Sequence, residues 1–144
     1  MIYETRLLGV TITSNLSWTA HVDDITRRAT QKLWVLIRFK SLGGTRDQLT
    51  TVYQTRVRST LECAAPVFHG GLTKDQSRQI EGVQKKAFAV ILGKDSYESA
   101  LSLLKLERLD TRRVSLCHSF ALKSAKSSRH QSMFPLNPNY RQNM

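Results

Sequence analysis

Two matching helix-start signals constrain this chain more than any other feature of its sequence. Thr45-Arg-Asp-Gln48 and Thr73-Lys-Asp-Gln76 both have the spacing of a capping box, in which the threonine accepts from a free helix N–H and the glutamine reaches back. Apolar residues at spacings of three and four follow each signal, as in a helix with one buried face. We therefore predict one helix from Thr45 toward Leu61 and another from Thr73 to a stop at Gly93.

The same periodicity predicts helices on either side of this pair. Spacings of three and four along residues 18–40 predict a first helix, which Gly43-Gly44 ends. A short amphipathic helix is expected from Tyr97 to Leu104, and a last one from an Asp110 cap to about Lys126. The residues predicted to face inward are Trp18, Val22, Ile25, Ala29, Leu33, Leu36 and Ile37 in the first helix, and Val114, Cys117, Phe120 and Ala121 in the last.

One segment has strand character. In residues 6–13, Leu8, Val10 and Ile12 alternate with smaller or polar residues, which predicts one short strand. A single strand cannot satisfy its own backbone, so we expect it to need a sheet that this chain does not supply. The predicted fold is mainly α, with four or five helices after one short N-terminal strand, as in a fragment of a larger fold.

Positive charge is concentrated toward the C-terminal end. The chain carries 22 Lys and Arg against 11 Asp and Glu, a formal net charge of +11. Residues 111–144 contain six basic side chains and no acidic one, whereas residues 1–110 contain 16 basic and 11 acidic. A segment of one sign favours a polyanion such as nucleic acid, or an acidic membrane surface; the alternative is a solvated basic tail without a partner.

Composition excludes several classes of protein. A chain of 144 residues has room for one domain. Cys63 and Cys117 are far apart and belong to no CxxC or Cys/His cluster, which excludes a disulfide scaffold and favours a reducing compartment, cytoplasmic or nuclear. No apolar run approaches the length of a membrane span, and no signal peptide follows Met1, so we expect no membrane partner.

The motifs that suggest catalysis are weak. His21-Val-Asp23 has the HxD form of iron/2-oxoglutarate oxygenases, with His69 and Arg78 as the further ligand and the anchor such a site needs. Those enzymes use a double-sheet jelly roll, which helical periodicity does not supply. Asp23 and Asp24 point about 100° apart on a helix and cannot clamp two metal ions unaided. We predict no catalytic residue, metal or cofactor, and interpret His21 and Asp23 as surface residues of a first helical turn.

Basic residues of the helix after Thr73 are more suggestive. Lys74, Arg78 and Lys85 share a polar face with Lys86 beside it, an arrangement that could follow a phosphate backbone. The alternative is a solvated face that Glu81 partly neutralises.

Several large side chains are interpreted as core. Trp18, Trp34 and Tyr53 could offer stacking platforms for bases, but their positions on or near apolar stripes favour packing inside the protein. Cys63 is likewise expected in the core, beside Ala64 and Ala65.

The order of these pieces resembles the C-terminal part of reverse transcriptases from non-LTR retrotransposons, LINE elements of the jockey/CR1 kind. The resemblance covers about residues 6–123. The residues that carry it are Leu8-Gly-Val10, Ile12, Leu16-Ser-Trp18, His21, the run from Leu61 through Glu62-Cys-Ala-Ala-Pro-Val-Phe to His69, Gly71-Leu-Thr73, Gln76, Ile80-Glu81, Val83-Gln-Lys-Lys-Ala87, Ile91-Leu-Gly93, Tyr97, Ala100-Leu101, Leu109, Arg112-Arg113 and Leu116-Cys117.

The resemblance implies a division of the chain. Residues 1–13 would be a remnant of the primer-grip strand, with Leu8, Gly9 and Val10 at its turn, residues 14–127 a helical thumb-like domain, and residues 128–144 a disordered basic tail. The family's catalytic aspartates lie upstream of the Leu-Gly-Val motif, so a fragment of a polymerase fold without polymerase activity is implied. A thumb contacts its duplex largely through the backbone. The expected contacts with an RNA/DNA or DNA duplex are Lys74, Arg78, Lys85, Lys86, Arg112, Arg113, Lys123 and Lys126.

Two alternatives remain open at this point. The unpartnered strand over 6–13 could dock onto the sheet of another protein, which would make the chain a protein–protein interaction module. The stretch from Ile12 to about Lys40 also resembles a segment classed with the N-terminal region of an AlkB homologue of alkylated-DNA repair. That resemblance would imply oxygenase or methyltransferase chemistry, for which the sequence encodes no working site.

Overall fold

Helices form most of the molecule, as the periodicity predicts. The computed structural model describes residues 3–133. Its elements are β1 (Glu4–Leu7), β2 (Val10–Thr13), α1 (Thr19–Ser41), α2 (Arg46–Val52), a π-helical segment (Tyr53–Arg58), α3 (Ser59–Glu62), α4 (Ala65–Phe68), a 3₁₀ turn (His69–Gly71), α5 (Lys74–Leu92), α6 (Tyr97–Leu104), α7 (Leu109–Lys126) and α8 (Ser128–Gln131).

Both predicted capping boxes are confirmed. The Thr45 hydroxyl accepts from the Gln48 backbone N–H, and the Gln48 side chain accepts from the Thr45 N–H at 3.0 Å. Thr73 and Gln76 make the same reciprocal pair at the start of α5. Gly93 ends α5 at a φ of 88°, a left-handed backbone that glycine tolerates best.

The helix that begins after Thr45 contains an irregularity that the sequence analysis missed. α2 continues through the π-helical segment into α3, so the helix covers 46–62 in one piece. Hydroxyls on this helix donate to the backbone carbonyl four residues earlier, as Thr55 does to Thr51 and Ser59 to Thr55. Such bonds compete with the helix's own ladder, which is one cause of local bending and widening.

The core lies where α1 meets α5 and the helix over 46–62. α1 packs against both of these partners, which places it at the centre of the fold. Its core positions are Val22, Ile25, Ala29, Leu33 and Leu36, and they meet Leu49, Tyr53, Val57 and Leu61 on one side and Ile80, Val83 and Ala87 of α5 on the other.

The prediction of a single strand over 6–13 is wrong. β1 and β2 form an antiparallel hairpin with Leu7 opposite Val10. Each strand therefore provides hydrogen-bond partners for the backbone groups along one edge of the other. Leu8 and Gly9 form the turn, and both have positive φ, 48° and 84°, as in type I′ turns. This segment therefore does not need a sheet from another protein to pair its strands, because β1 and β2 pair with each other.

His21 fastens this hairpin to α1 and is buried, contrary to the surface position predicted for it. Its side chain is 1% exposed, and its Nδ1 accepts from the Thr11 backbone N–H at 3.3 Å. The imidazole packs beside Phe68, with ring centroids 4.8 Å apart. Burial lowers the pKa of His21, and the nearby Arg28 and Arg6 cations lower it further against the opposing charge of Asp24.

This burial predicts an acid-sensitive fold. We expect the free energy of unfolding to be level above the ordinary histidine pKa of about 6.5 and to fall below it, because the unfolded chain then binds a proton that folded His21 resists. The variant His21→Asn retains an acceptor for the Thr11 N–H without titrating, so its stability should vary less between about pH 7 and 5. Urea unfolding at several pH values measures this. If the free energy of unfolding changed with pH equally in the original chain and in His21→Asn, His21 would not be the source of the acid sensitivity.

The last long helix begins at a different residue from the predicted one and buries a different face. α7 begins at Leu109 after Arg108, which makes no side-chain cap, and Asp110 lies within the first turn. Leu109 and Arg113 are the buried residues of this helix, whereas Val114 and Phe120 are 56% and 54% exposed. The predicted inward stripe is wrong at Val114, Phe120 and Ala121, which are exposed, while Cys117 is half-buried; burial of Arg113 against Ser77 turns a neighbouring face of the helix toward α5.

Three further residues that were predicted to be buried are exposed, and the predicted C-terminal tail lies partly outside the described residues. Trp34 and Ile37 of α1 are 61% and 50% exposed, and Cys63 is exposed. In the predicted tail over 128–144, Ser128–Gln131 is a short helix, and the remainder from 134 onward lies outside the described residues.

Candidate nucleic-acid interface

A pocket between α5 and the start of α7 brings several basic side chains together. Residues 74, 78, 81 and 85 are spaced by three or four along α5 and so share one face. The chain before α7 places a further cation opposite them. The pocket is lined by Lys74, Ser77, Arg78, Glu81, Lys85, Arg108 and Asp110. We call it the α5–α7 pocket; its four cations face two carboxylates.

The rim of the pocket is held in place by surface contacts. Arg78 Nη1 lies 2.7 Å from Asp75 Oδ1, and both side chains are largely exposed. Arg108 donates to Asp110 at 3.3 Å, and this hydrogen bond together with the negative charge of Asp110 raises the pKa of Arg108. Lys85 Nζ lies 5.1 Å from the centre of the Tyr97 ring, a cation–π contact. Exposed pairs of this kind are weak and leave the cations able to bind an incoming anion.

The floor of the pocket is a buried polar network. Glu81 is 4% exposed, and its carboxylate accepts from the Leu109 backbone N–H at 3.2 and 3.1 Å and from the Tyr97 hydroxyl. Gln84, fully buried, donates to the Tyr97 hydroxyl at 2.7 Å and accepts from Tyr53. Burial and the Glu81 contact raise the Tyr97 pKa. This network fixes α5 against the segment that carries Arg108.

Arg113 is not a surface cation, which corrects one of the predicted contacts. It is 1% exposed, and its Nη2 donates to Ser77 Oγ at 2.6 Å, which ties α7 to α5. Burial lowers the pKa of its guanidinium, and the charge of Glu81 opposes that effect most strongly. Arg113 thus has a structural position behind the pocket and cannot reach a duplex on the surface.

The other predicted contacts do not form one surface. Lys86 lines a separate groove between α1 and α5, whereas Lys85 lines the α5–α7 pocket. Arg112 is partly buried and is paired through its guanidinium with Glu62, at 3.0 Å between Nη2 and Oε2. Lys123 and Lys126 are exposed in the final turns of α7. Of the eight predicted residues, Lys74, Arg78 and Lys85 share the pocket.

Two parts of the basic surface were not predicted from the sequence. They are Arg108 and the outer face of α1. Arg108 lies just outside the basic segment over 111–144, so counting charge in that segment excluded it. On α1, Trp34 is exposed and the Arg38 guanidinium lies 5.3 Å from its ring. A count of acidic residues would have found this face, since residues 25–46 contain six basic side chains and no acidic one.

The remaining predicted features have these positions. Leu8, Gly9 and Val10 form the turn of the hairpin and its first paired residue; Leu8 is 93% exposed and Val10 is buried. His21 and Asp23 of the HxD motif do not converge, because His21 is buried and Asp23 accepts from Gln79 at 2.8 Å across to α5. Over residues 3–133 no group of three His, Cys, Asp or Glu side chains could hold a metal ion.

Comparison with protein-family models, with curated proteins and with solved structures returns no match. Within the described part of the chain, no helix combines the length and apolar character needed to cross a membrane.

Proposed function

We propose that the chain is a non-catalytic, thumb-like module that binds the backbone of an RNA/DNA or DNA duplex without reading its sequence. The observation that carries this proposal is the convergence of Lys74, Arg78 and Lys85 with Arg108 around one pocket. Exposed cations on the rim of a pocket suit phosphate oxygens, which fix a protein on a duplex but carry no sequence information.

Two further features support the proposal. The net charge of +11 attracts a polyanion from a distance and raises the rate of encounter. The resemblance to the C-terminal part of non-LTR reverse transcriptases points to the same ligand, and it implies that the catalytic aspartates belong to a segment upstream of Leu8. The proposal is accordingly one of binding and does not include catalysis.

Removing two pocket cations should weaken binding and its dependence on salt. For Arg78→Gln with Lys85→Gln, we expect the slope of log K against log salt to become shallower by about 0.9 for each phosphate that the variant no longer neutralises. The measurement is fluorescence anisotropy with a labelled RNA/DNA hybrid between about 50 and 200 mM salt.

A matched pair elsewhere controls for the reduction in net charge. Lys94→Gln with Lys105→Gln removes two exposed cations outside the pocket, so its slope should remain close to that of the original chain. Equal slopes for both double variants would show that the pocket makes no localised contact and would refute the proposal. Circular dichroism of each variant verifies that the helices are intact.

A second candidate, docking onto another protein, is favoured by the hairpin. β1 is exposed along its whole length, and Leu7 and Leu8 at the turn are 59% and 93% exposed. An edge strand with apolar neighbours can add to a foreign sheet. This candidate implies a complex that persists at high salt, where dissolved ions screen the attraction between cations and phosphates.

A further inference from the structure

An exposed tryptophan on α1 has the surroundings of a stacking platform. Trp34 is 61% exposed, which is unusual for the largest apolar side chain. Arg38, one helical turn later, places its guanidinium 5.3 Å from the centre of the indole ring. That contact occupies one region of the ring and leaves the indole accessible to a second planar group.

The charge around this platform has one sign. Residues 25–46 hold Arg27, Arg28, Lys32, Arg38, Lys40 and Arg46 and no Asp or Glu. Asp24 neutralises part of the first turns, with its Oδ1 2.7 Å from Arg27 and its Oδ2 3.0 Å from Arg28. Lys32 donates to Thr60 Oγ1 at 2.7 Å and Lys40 donates to the Val90 carbonyl, so Arg38 is the cation that the structure places against the Trp34 ring.

A groove extends from this face toward α5. It is lined on α1 by Thr30 and Gln31, one turn before Trp34, and on α5 by Gly82 and Lys86. A Cβ at Gly82 would meet no atom within 4 Å, so the groove is open at its floor. Arg27 and Lys86 are the cations that line the groove and Asp23 is its carboxylate, while Trp34 lies on α1 one turn beyond Thr30.

We propose that the Trp34–Arg38 face of α1 stacks the unpaired bases of a single-stranded nucleic acid, while neighbouring cations hold its phosphates. This inference rests on the proposed nucleic-acid binding and adds a ligand class to it. Every base has a π-face that can stack on indole, whereas the bases inside a duplex are already stacked on each other. The face is separate from the α5–α7 pocket, since Lys85 and Lys86 line different depressions.

Tryptophan fluorescence can test the platform directly. Titration with single-stranded oligo(dA) should quench the emission of the original chain, and quenching should disappear in Trp34→Leu, which retains Trp18 as its only tryptophan. We expect Trp34→Leu to weaken oligo(dA) binding by about tenfold, and Trp34→Phe to restore part of that affinity because a ring remains. Phe120→Leu removes another exposed aromatic residue, on α7, and should leave binding unchanged.

The outcomes separate this inference from the proposed function. If the chain binds a duplex but oligo(dA) causes no quenching, or if Trp34→Leu binds oligo(dA) as tightly as the original chain, the platform is refuted and the duplex proposal stands. If Arg78→Gln with Lys85→Gln loses duplex affinity while Trp34 quenching persists, both are supported. Self-association that Trp34→Leu abolishes, without quenching by oligo(dA), would assign the face to a protein contact and refute the inference.

Discussion

Replacing Glu81 with alanine should lower the free energy of unfolding by about 3 kcal/mol, since it would leave the buried Leu109 N–H and the Tyr97 hydroxyl without their acceptor. The Glu81 carboxylate accepts from the Leu109 N–H and from the Tyr97 hydroxyl. Its negative charge also opposes the lowering of the Arg113 pKa by burial more strongly than any other group does. Urea unfolding followed by circular dichroism gives the value.

Two variants sharpen this prediction. Glu81→Gln keeps an acceptor oxygen but loses the charge, so its cost should be smaller than that of alanine. Glu98→Ala removes a carboxylate that is 75% exposed and lies 3.5 Å from Arg108, and it should change stability by less than about 0.5 kcal/mol. If Glu81→Ala were as mild as Glu98→Ala, the buried network would not be what holds α5 to α7.

Local signals account for the parts of the fold that could be predicted. A capping box depends on residues within one turn, so Thr45 and Thr73 could be identified without knowledge of the rest of the chain. The stop at Gly93 is local for the same reason. The helix from Tyr97 to Leu104 has the predicted bounds because its amphipathic pattern is short and uninterrupted.

Tertiary contacts decide the parts that could not be predicted. The rotation of α7 follows from burying Arg113 against Ser77, a polar contact that hydrophobic periodicity cannot anticipate. The hairpin turn places Leu8 at a φ of 48°, where Asn or Gly would have given a recognisable turn signal. Exposure of Trp34 was missed because an aromatic residue close to an apolar stripe is usually packed inside.

The candidate site shows the same division. The cations of α5 were found because the spacing of residues 74, 78 and 85 is a property of one helix. Arg108 joins them only because Glu81 binds the Leu109 N–H and so sets where α7 begins. Its position is therefore a consequence of the buried network and has no signal of its own in the sequence.

The largest loss of stability is expected for Phe68→Ala. Phe68 is fully buried, and its ring centroid lies 6.3 Å from that of Trp18 and 4.8 Å from that of His21. Truncating such a side chain removes its transfer free energy and leaves a cavity, at a cost of about 3–5 kcal/mol. Since His21 also accepts from the Thr11 N–H, the hairpin should loosen as well, with faster hydrogen exchange at Thr11.

The preceding residue supplies the control for this prediction. Val67 lies on the same short helix α4 but is 57% exposed, so Val67→Ala should cost less than about 1 kcal/mol and leave exchange at Thr11 unchanged. Similar losses for the two variants would mean that stability depends on α4 as a helix. A large loss confined to Phe68, together with faster Thr11 exchange, would instead establish that this ring joins the hairpin to the helical core through His21.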